Sequence, residues 1–463
     1  MGGFVMSRHF DAIIIGAGQA GPSLAGRLTE AGKTVALIER KLFGGTCVNT
    51  GCMPTKAMVA SAYAIHTARR GAEYGMTTGP VSVDFTRVMA RKEKVRLDSR
   101  SGIESWLKGM KNCAVLEGHA RFESPTEIRI GEERFSGEQI FLNVGGRAAI
   151  PDFSGVDEVP YLTNSSIMEL THLPRHLIII GGSYIGLEFA QIFRRFGSEV
   201  TVIEKGARLI AREDEDVSDA IRDILEQEGI HIRLNAECIR FARHADGVAA
   251  GVDCTSGPPE VIGSDVLLAT GRRPNTDDLD LDKAGVKTDA RGYIEVDDML
   301  RTNVPHIFAM GDCNGRGAFT HTSYNDFEIV AANLIDKDPR RVSDRIQTYA
   351  LYIDPPLGRA GMTETEARRS GRKLLIGTRP MTRVGRAVEK GETLGFMKVI
   401  VDADTQEILG ASILGTGGDE AIQSILDVMY AKRPYTTISR AMHIHPTVSE
   451  LIPTVFGDLS PAK

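Results

Sequence analysis

Short runs of aliphatic residues that end in glycine occur twice in the same context. Residues 12–15 and 177–180 each lead into a glycine turn, a helical pattern, a second aliphatic run and a glutamate, Glu39 or Glu204. Strands that are aliphatic at every position are typical of a parallel sheet buried on both faces, with the helix as the crossover. The pattern therefore predicts a duplicated βαβ unit.

The remaining sequence predicts further elements. Residues 54–72 have a long helical pattern, and polar helical sequence continues to about residue 109. Residues 114–144 alternate strand-like runs with turns. The composition changes at residues 336–345, and from about residue 347 strands and helices alternate without a glycine fingerprint. This last part predicts a third domain with a different task.

Composition excludes several classes of protein. A chain of 463 residues with 42% hydrophobic residues, 25% charged residues and 49 glycines is typical of a multidomain α/β protein. A net charge of −6 gives no basic field, so we expect no nucleic-acid partner. No apolar run approaches the roughly 18 residues of a membrane span, so we expect no membrane association. The first apolar run is too short for a signal peptide, and six cysteines are too few for a secreted disulfide scaffold, which predicts a cytoplasmic protein.

The first glycine turn indicates a dinucleotide site. Gly16, Gly18 and Gly21 follow a predicted strand and open a predicted helix, so the backbone can approach a pyrophosphate at the helix N-terminus. Glu39 lies 21 residues beyond Gly18, where its carboxylate can accept a hydrogen bond from a ribose hydroxyl.

The second glycine turn is less regular. Gly181 and Gly186 keep their places, but Ser183 stands at the middle position. A second dinucleotide site and a purely structural βαβ unit both fit this pattern, and we favour the dinucleotide site. Glu204 favours NADH because its carboxylate repels a 2′-phosphate. NADPH stays open because three basic residues follow: Lys205, Arg208 and Arg212.

A close cysteine pair supplies candidate redox chemistry. Cys47 and Cys52 are five residues apart, too far for a disulfide within a regular helix, so a bond between them requires irregular backbone, which Gly51 permits. Pro54 fits a first helical turn, which predicts that helix begins near Cys52. The helix dipole and Lys56, one turn further on, both favour a Cys52 thiolate.

Other interpretations of the cysteines and of a histidine motif stay open. The pair can be two inert thiols or half of a zinc site, but no CxxC motif or second Cys/His cluster completes a metal set, so we predict no metal. Near the C-terminus, His443, His445 and Glu450 offer a histidine held by a carboxylate, the usual acid/base arrangement. Either histidine alone is more often structural.

Six motifs occur in an order and spacing similar to those of one family. They are GAGQAG, GGTCVNTGCMPTK, GGSYIGLE, ATGRRPN, MGDCNG and HPTVSE. With them the chain resembles the class I flavoprotein disulfide reductases, which include dihydrolipoamide dehydrogenase, glutathione reductase and mercuric reductase. The resemblance covers nearly the whole chain.

The resemblance implies an α/β fold with two Rossmann-like dinucleotide-binding domains, for FAD and NAD(P), and a C-terminal α+β dimerisation domain. It assigns residues 1–150 and 272–345 to a discontinuous FAD domain, 151–271 to the NAD(P) domain and 346–463 to the interface domain. It also implies a homodimer in which the histidine of one copy serves the active site of the other.

The resemblance also implies a role for individual residues. Cys47 corresponds to the thiol that attacks substrate, and Cys52 to the thiol that contacts the flavin. The other catalytic assignments are a Lys56–Glu188 pair, Tyr184 at the nicotinamide pocket, and His445 with Glu450 as acid/base pair, with a cis bond before Pro446. The implied FAD contacts are Gly16, Gly18, Gly21, Glu39, Gly45, Thr46, Gly311 and Asp312, and the implied NAD(P) contacts are Gly181, Gly186, Glu204 and Gly271.

The implied activity is electron transfer from nicotinamide through flavin to Cys47–Cys52 and on to a small disulfide or related acceptor, in either direction. The alternatives are a dihydrolipoamide dehydrogenase of a multienzyme complex and a mercuric-reductase-like metal reductase. Three features differ from the sequences usual in dihydrolipoamide dehydrogenases: PTK, Ser183 and FTHTSYND. The final residues FGDLSPAK contain no cysteine pair to deliver mercury or to serve a thioredoxin reductase, so we expect poor Hg(II) turnover. A different class of protein is a flavin-binding structural or sensor protein that does not turn over. Such a protein has no need of the intact set Cys47, Cys52, Lys56, Glu188, His445 and Glu450.

Overall fold

The structure, a computed structural model, describes residues 7–253 and 257–462. The strands of the described chain are β1 Arg8–Ile15, β2 Val35–Glu39, β3 Cys113–Glu117, β4 Ala120–Ser124, β5 Glu127–Ile130, β6 Glu133–Leu142, β7 Gly146–Ala148, β8 His176–Ile180, β9 Glu199–Ile203, β10 His231–Arg233, β11 Glu237–His244, β12 Gly247–Asp253, β13 Glu260–Gly263, β14 Asp265–Leu268, β15 Arg272–Pro274, β16 Ile307–Ala309, β17 Thr348–Leu351, β18 Leu357–Gly361, β19 Leu374–Pro380, β20 Phe396–Asp402, β21 Ile408–Leu414 and β22 Ser460–Pro461.

The α-helices of the same residues are α1 Ala20–Glu30, α2 Gly45–Asn49, α3 Cys52–Arg69, α4 Phe85–Gly109, α5 Tyr184–Phe196, α6 Glu215–Gln227, α7 Thr320–Ala331, α8 Glu364–Arg369, α9 Gly385–Glu389, α10 Gly418–Tyr430, α11 Thr436–Ser439 and α12 Ile452–Gly457. In the part of the chain that the structure describes, no helix is both long enough and apolar enough to cross a lipid bilayer.

The chain divides into two compact units. Unit 1 contains the described residues up to Ala57, together with Thr86–Pro151 and Thr270–Arg345. Unit 2 contains Met58–Phe85, Asp152–Ala269 and the described residues from Ile346 onward. The finer division into three functional domains stays a prediction.

Unit 1 is built on a largely parallel sheet. Strands β3, β2, β1 and β6 lie side by side in parallel, β16 extends the sheet beside β6, and the antiparallel strands β5 and β4 continue from the other part of β6. Alternate residues of β1 point to opposite faces: Ile13 and Ile15 join one buried cluster, whereas Ala12 and Ile14 join another with α1 and α7. The aliphatic run is thus buried on both faces, and the predicted first βαβ unit is confirmed.

Unit 2 contains a second, smaller parallel sheet in the order β10-β9-β8-β14. Helix α5 connects β8 to the parallel strand β9, which confirms the second βαβ unit. A three-stranded antiparallel sheet, β11-β12-β13, packs its buried side chains with Ile178 and Ile180 of β8.

The C-terminal part of unit 2 has a different architecture. Strands β17, β18, β21, β20, β19 and β22 form one antiparallel sheet in that order. A buried cluster joins residues of this sheet to α10 and α12, as in Val399, Ile413, Ile425 and Val455. The predicted α/β fold class, with two dinucleotide-binding folds and a C-terminal α+β part, is confirmed by this arrangement.

Candidate active site

The first glycine turn lies between β1 and α1 and leaves no room for side chains. Gly16 has a φ of +106°, and a Cβ atom added there would lie 2.3 Å from the carbonyl oxygen of Asn143. A Cβ atom on Gly21 would lie 2.3 Å from the carbonyl oxygen of Gly16. Because α1 begins at Ala20, the turn presents its backbone at the N-terminus of that helix.

A second glycine segment lies against this turn. Gly44 and Gly45, just before and at the start of α2, have φ values of +91° and +61°. A Cβ atom on Gly45 would lie 2.9 Å from the Cα atom of Gly18. The segment that contains Thr46 and Cys47 is therefore fixed next to the first glycine turn, through backbone packing that only glycine allows.

Glu39, the last residue of β2, folds its carboxylate onto the same turn. One carboxylate oxygen accepts a hydrogen bond from the backbone N–H of Ala17 at 2.9 Å, and the other accepts from Lys41 at 2.8 Å. These contacts fix the carboxylate beside the glycine turn. The remaining lone pairs of the Glu39 carboxylate can accept hydrogen bonds from a ribose hydroxyl group.

Asn143 is a central residue of this site that the sequence motifs do not indicate. It follows β6 directly and is only 5% exposed. With its side-chain oxygen turned towards the glycine turn, it accepts hydrogen bonds from the backbone N–H groups of Gly21 at 2.9 Å and Gly18 at 3.3 Å. The usable sequence signal was a polar residue at the end of a strand beside β1, where ligands of α/β sheets bind.

Asp312 lies at the end of β16, the neighbouring strand. Gly311 before it has a φ of +73°, and the Asp312 carboxylate lies 3.4 Å from Nε of Arg272. Burial raises the pKa of Asp312, and the Arg272 guanidinium opposes that shift. A half-buried carboxylate at this edge can accept hydrogen bonds from the hydroxyl groups of a cofactor.

A buried ion pair fixes the backbone in front of Asp312. The Asp326 carboxylate of α7 accepts hydrogen bonds from the Gly311 backbone N–H at 2.8 Å and from the Asn314 side chain at 2.9 Å, and it pairs with Arg345 at 2.5 Å. Burial raises the pKa of Asp326, and Arg345 opposes the shift. Sequence reasoning missed both members of this pair because they are 19 residues apart in unrelated segments.

The donor set of unit 1 fits FAD. Backbone that only glycine allows at Gly16 and Gly21 forms a cradle at a helix N-terminus, as a diphosphate requires. Glu39 ends β2 and Asp312 follows β16, two parallel strands of the same sheet, and their carboxylates can accept hydrogen bonds from the ribose and ribityl hydroxyl groups of FAD. Gly271, which the motifs assign to NAD(P), has a φ of +115° and open space where a side chain would point.

The second glycine turn repeats the first in unit 2. Gly181 has a φ of +113°, and a Cβ atom on Gly186 would lie 2.1 Å from the carbonyl oxygen of Gly181. Ser183 is extended and precedes α5, which begins with Tyr184. The carboxylate of Glu204 accepts hydrogen bonds from the backbone N–H groups of Gly182 and Gly206, both at 2.6 Å. Glu204 thus accepts two backbone N–H bonds beside a glycine turn, as Glu39 does, and this geometry fits the binding of a second dinucleotide.

Glu188 is buried on α5 with only 4% of its surface exposed. Its carboxylate accepts a hydrogen bond from the backbone N–H of Tyr352 at 3.0 Å. One turn further on, the amide of Gln191 makes two hydrogen bonds with the Asp354 backbone, at 2.7 and 2.9 Å. Lys56 is half-buried in the first turns of α3 in unit 1, and its pairing with Glu188 stays a prediction.

The two cysteines lie on either side of a tight reversal of the chain. Cys47 is in α2, Cys52 is the first residue of α3, and both are thiols. A Cβ atom on Gly51 would lie 2.8 Å from the carbonyl oxygen of Thr46 and 3.2 Å from the Cα atom of Cys47. The predicted need for Gly51 thus has a steric cause, since any side chain would push the two cysteine segments apart.

The cysteine sulfurs interact with each other. The thiol of Cys47 is hydrogen-bonded to Cys52, and this bond together with burial raises the pKa of Cys47 far above its ordinary value. Cys47 therefore keeps its proton while Cys52 can carry the negative charge. The Sγ atom of Cys52 also lies 3.2 Å from Oγ1 of Thr320, the first residue of α7.

His445 and Glu450 form the predicted acid/base arrangement. Nδ1 of His445 lies 2.9 and 3.1 Å from the two carboxylate oxygens of Glu450. The peptide bond between His445 and Pro446 is cis, as the resemblance implies. The His445 side chain is 79% exposed, so its Nε2 edge is available to another molecule. His443 instead contacts the Ala441 carbonyl oxygen at 3.2 Å.

Within residues 7–253 and 257–462, no three histidine, cysteine, aspartate or glutamate side chains are placed to hold a metal ion together.

Comparison with known families matches the chain in two parts. Residues 10–326 match the pyridine nucleotide-disulphide oxidoreductase family, and residues 348–456 match the dimerisation domain of the same family. The chain is 37% identical over 456 residues to the probable pyridine nucleotide-disulfide oxidoreductase RclA of Escherichia coli, covering 97% of this chain and 99% of that protein. The solved structure of this RclA, titled a Cu(II) complex of an HOCl-induced flavoprotein disulfide reductase, matches with a TM-score of 0.89, 36% identity and coverage of 98% and 99%.

Two further relatives have other names. A dihydrolipoyl dehydrogenase of Thermus scotoductus is 32% identical, with 96% of each chain covered. A mercuric reductase of Lysinibacillus sphaericus is 29% identical, with 94% of this chain and 82% of the relative covered.

Proposed function

The chain belongs to the pyridine nucleotide-disulphide oxidoreductase family, and from that premise we propose that it uses NADH to reduce a small disulfide through Cys47 and Cys52. It is an FAD-dependent and nicotinamide-dependent oxidoreductase of the disulfide-reductase type. The observation that carries the proposal is the geometry of the thiol pair: the Cys47 thiol is hydrogen-bonded to Cys52, Cys52 is the first residue of α3, and Gly51 allows the tight reversal between them.

Bound FAD supplies the two-electron carrier that takes a hydride from nicotinamide and passes electrons to the cysteine pair. The residues proposed to hold it are the glycines of the first turn, Gly45 and Thr46, and the carboxylates of Glu39 and Asp312. The nicotinamide coenzyme is proposed to bind at Gly181, Gly186 and Gly271, with Tyr184 at its reactive end. Lys56, paired with Glu188, would supply a positive charge near the flavin.

The thiols then reduce the substrate in two exchanges. The Cys47 thiol gives its proton to His445 as its sulfur attacks one sulfur of the substrate disulfide, and the expelled sulfur takes that proton back from His445. The Cys52 thiolate then attacks the Cys47 sulfur of the mixed disulfide, which restores the Cys47–Cys52 disulfide and expels the second substrate sulfur as a thiolate, which takes a proton from solvent. Over the cycle one NADH and one proton convert one disulfide to two thiols, so protons and electrons balance.

NADH is the proposed coenzyme rather than NADPH. The Glu204 carboxylate is fixed by two backbone N–H groups at 2.6 Å, so it cannot easily turn away from a 2′-phosphate. Its negative charge would repel that phosphate but accept the free hydroxyl of NADH. The basic residues Lys205, Arg208 and Arg212 would reduce this preference without reversing it.

A homodimer in the cytoplasm is the proposed working form. The dimerisation-domain match spans residues 348–456 and includes His445. Beside this histidine, Met442 is 100% exposed and Ile444 is 80% exposed, an apolar pair that a second copy would cover. In that assembly His445 and Glu450 of one copy would serve the cysteine pair of the other.

A second candidate acceptor is Cu(II). The solved RclA structure, with 36% identity and a TM-score of 0.89, is titled a Cu(II) complex. One NADH would reduce two Cu(II) ions to Cu(I) and release one proton, with the thiol pair as the site of electron delivery. Hg(II) is a third acceptor to test, since a mercuric reductase is among the relatives.

Steady-state kinetics with NADH and NADPH against lipoamide, glutathione disulfide, other small disulfides, Cu(II) and Hg(II) test the proposal. We expect a small disulfide to give the highest kcat/KM, with NADH ahead of NADPH. Turnover of Cu(II) alone would select the second candidate. Turnover of no disulfide and no metal ion would overturn both.

A further inference from the structure

A threonine hydroxyl lies against the cysteine pair from a third element. Thr320 is the first residue of α7, and its Oγ1 lies 3.2 Å from Sγ of Cys52. Cys52 is itself the first residue of α3. The Cys52 sulfur therefore lies close to the positive ends of two helices, of 18 and 12 residues, and next to a hydroxyl.

We propose that Thr320 is a further catalytic residue, whose hydroxyl donates a hydrogen bond to the Cys52 thiolate and thereby fixes the charge of the reduced pair on Cys52. A thiolate accepts hydrogen bonds but cannot donate one, so the Thr320 O–H must be the donor at this contact. The inference rests on the proposed function, because it assigns the charge within the same redox pair.

Thr320 has a contact with each of the two sulfurs. Thr320 also hydrogen-bonds to Cys47 and acts to lower the pKa of that thiol, but the bond to Cys52 and burial outweigh it. The hydroxyl thus favours negative charge at the pair, while the Cys47–Cys52 bond decides which sulfur carries it. The result is one protonated sulfur at Cys47 and one stabilised thiolate at Cys52.

Few other titratable groups lie at the start of the elements that meet at this point. Within the first five residues of each helix they are Cys47 on α2, Lys56 on α3, and His321 and Tyr324 on α7, while Tyr63, His66 and Arg69 lie further along α3 and Asp326 and Glu328 further along α7. The His321 ring is exposed and stacks on Phe319 at 5.3 Å, and Tyr324 is exposed and contacts Phe327. Thr320 is the group on α7 whose contact with a cysteine sulfur is direct.

The test measures the titration of Cys52 without turnover. In a Cys47→Ser background, the rate of Cys52 alkylation by iodoacetamide is followed against pH by mass spectrometry on the FAD-bound protein. Thr320→Val replaces the hydroxyl with a methyl group of similar size, Thr320→Ser retains a hydroxyl, and Thr126→Val at an exposed turn is the matched control. Flavin content and thermal unfolding check that each variant is folded.

We expect Thr320→Val to raise the pH midpoint of Cys52 alkylation by about one unit. A hydrogen bond to a charged group stabilises that charge by an energy that corresponds to roughly such a shift. Thr320→Ser and Thr126→Val should keep the parent midpoint. Equal midpoints in all four proteins would overturn the inference, as would an equal shift in Thr126→Val. The alkylation midpoint needs only the Cys52 thiol, whereas disulfide turnover is measured on the enzyme that retains Cys47. Turnover by that enzyme without a midpoint shift in Thr320→Val refutes the role of Thr320 alone. A midpoint shift without disulfide turnover refutes the proposed function alone.

Discussion

At the scale of single residues, the chemistry depends on which sulfur carries charge. The Cys47 thiol is hydrogen-bonded to Cys52, and Cys52 is the first residue of a long helix. A helix N-terminus stabilises a thiolate, whereas burial and the donated bond keep Cys47 protonated. Cys52 is therefore suited to interact with the flavin as a thiolate, whereas Cys47 attacks substrate once a base has taken its proton.

Replacing Cys52 with serine should remove the thiolate without unfolding the site. We expect the variant to bind flavin normally but to lack the long-wavelength thiolate-to-flavin absorbance band on anaerobic titration with NADH. Cys113→Ser, at a half-buried position in β3, is the control and should keep the band. A full band in Cys52→Ser would show that Cys52 has been assigned the wrong role.

Replacing Glu450 with glutamine tests the acid/base pair. The Glu450 carboxylate contacts Nδ1 of His445 at 2.9 Å and so orients the imidazole with Nε2 facing outward. We expect kcat for disulfide reduction to fall by about 10²-fold, the lower end of general acid/base contributions. Reduction of the cysteine pair by NADH in single-turnover experiments should be unchanged. If both steps slow equally, His445 and Glu450 act in folding or assembly rather than in proton transfer.

At the scale of helices and strands, sequence motifs predicted the glycines of the turns but not the residues that join distant elements. Gly16, Gly186 and Gly51 were predicted because their steric requirement is local, within a turn of a few residues. Asn143, Asp326 and Thr320 were not, since their contacts join segments from 12 to 268 residues apart and depend on which strands become neighbours. A motif records a local backbone requirement, whereas contacts between distant elements follow from sheet order.

The start of α5 gives a test at this scale. A Cβ atom at Gly186 would lie 2.1 Å from the Gly181 carbonyl oxygen, so Gly186→Ala must displace the turn that is proposed to hold NADH. We expect KM for NADH to rise at least about tenfold, a loss of roughly 1.4 kcal/mol, with flavin content unchanged. Gly102→Ala, which has open space in α4, is the control. An unchanged KM would contradict the placement of the coenzyme at this turn.

The buried pair between α7 and Arg345 is a second element-scale test. Asp326→Asn keeps the shape of the side chain but leaves the buried Arg345 without its counter-charge. We expect a loss of about 3–5 kcal/mol in the free energy of unfolding, together with weaker flavin retention, because Gly311 loses its anchor. Urea unfolding measures the first effect, and Asp338→Asn at an exposed position is the control. A change below about 1 kcal/mol would mean that the pair contributes little to this fold.

At the scale of the whole molecule, two units each carry one glycine turn with a carboxylate bound to its backbone. The carboxylates are Glu39 in unit 1 and Glu204 in unit 2, and each accepts two backbone N–H bonds. This repetition could be predicted from the duplicated aliphatic pattern. The antiparallel sheet of the C-terminal part could not be ordered from sequence, because its pairing joins strands such as β18 and β21 across about 50 residues.

Assembly gives a prediction at this scale. Ile444→Asp places a charge on the exposed apolar pair formed by Met442 and Ile444, so burying it against a second copy becomes costly. We expect light scattering to find a monomer that still binds flavin but has lost disulfide turnover. Ile262→Asp, also at an exposed apolar position, should stay dimeric. A fully active monomer would contradict the proposal that His445 serves a second copy.

The most direct test of the central claim is the oxidation state of the peptide that contains Cys47 and Cys52, before and after anaerobic addition of one equivalent of NADH. Rapid alkylation followed by mass spectrometry reads the number of free thiols in this peptide. We expect a Cys47–Cys52 disulfide in the oxidised enzyme and two alkylated cysteines after NADH has been consumed. A peptide whose alkylation is the same before and after complete oxidation of NADH would contradict it.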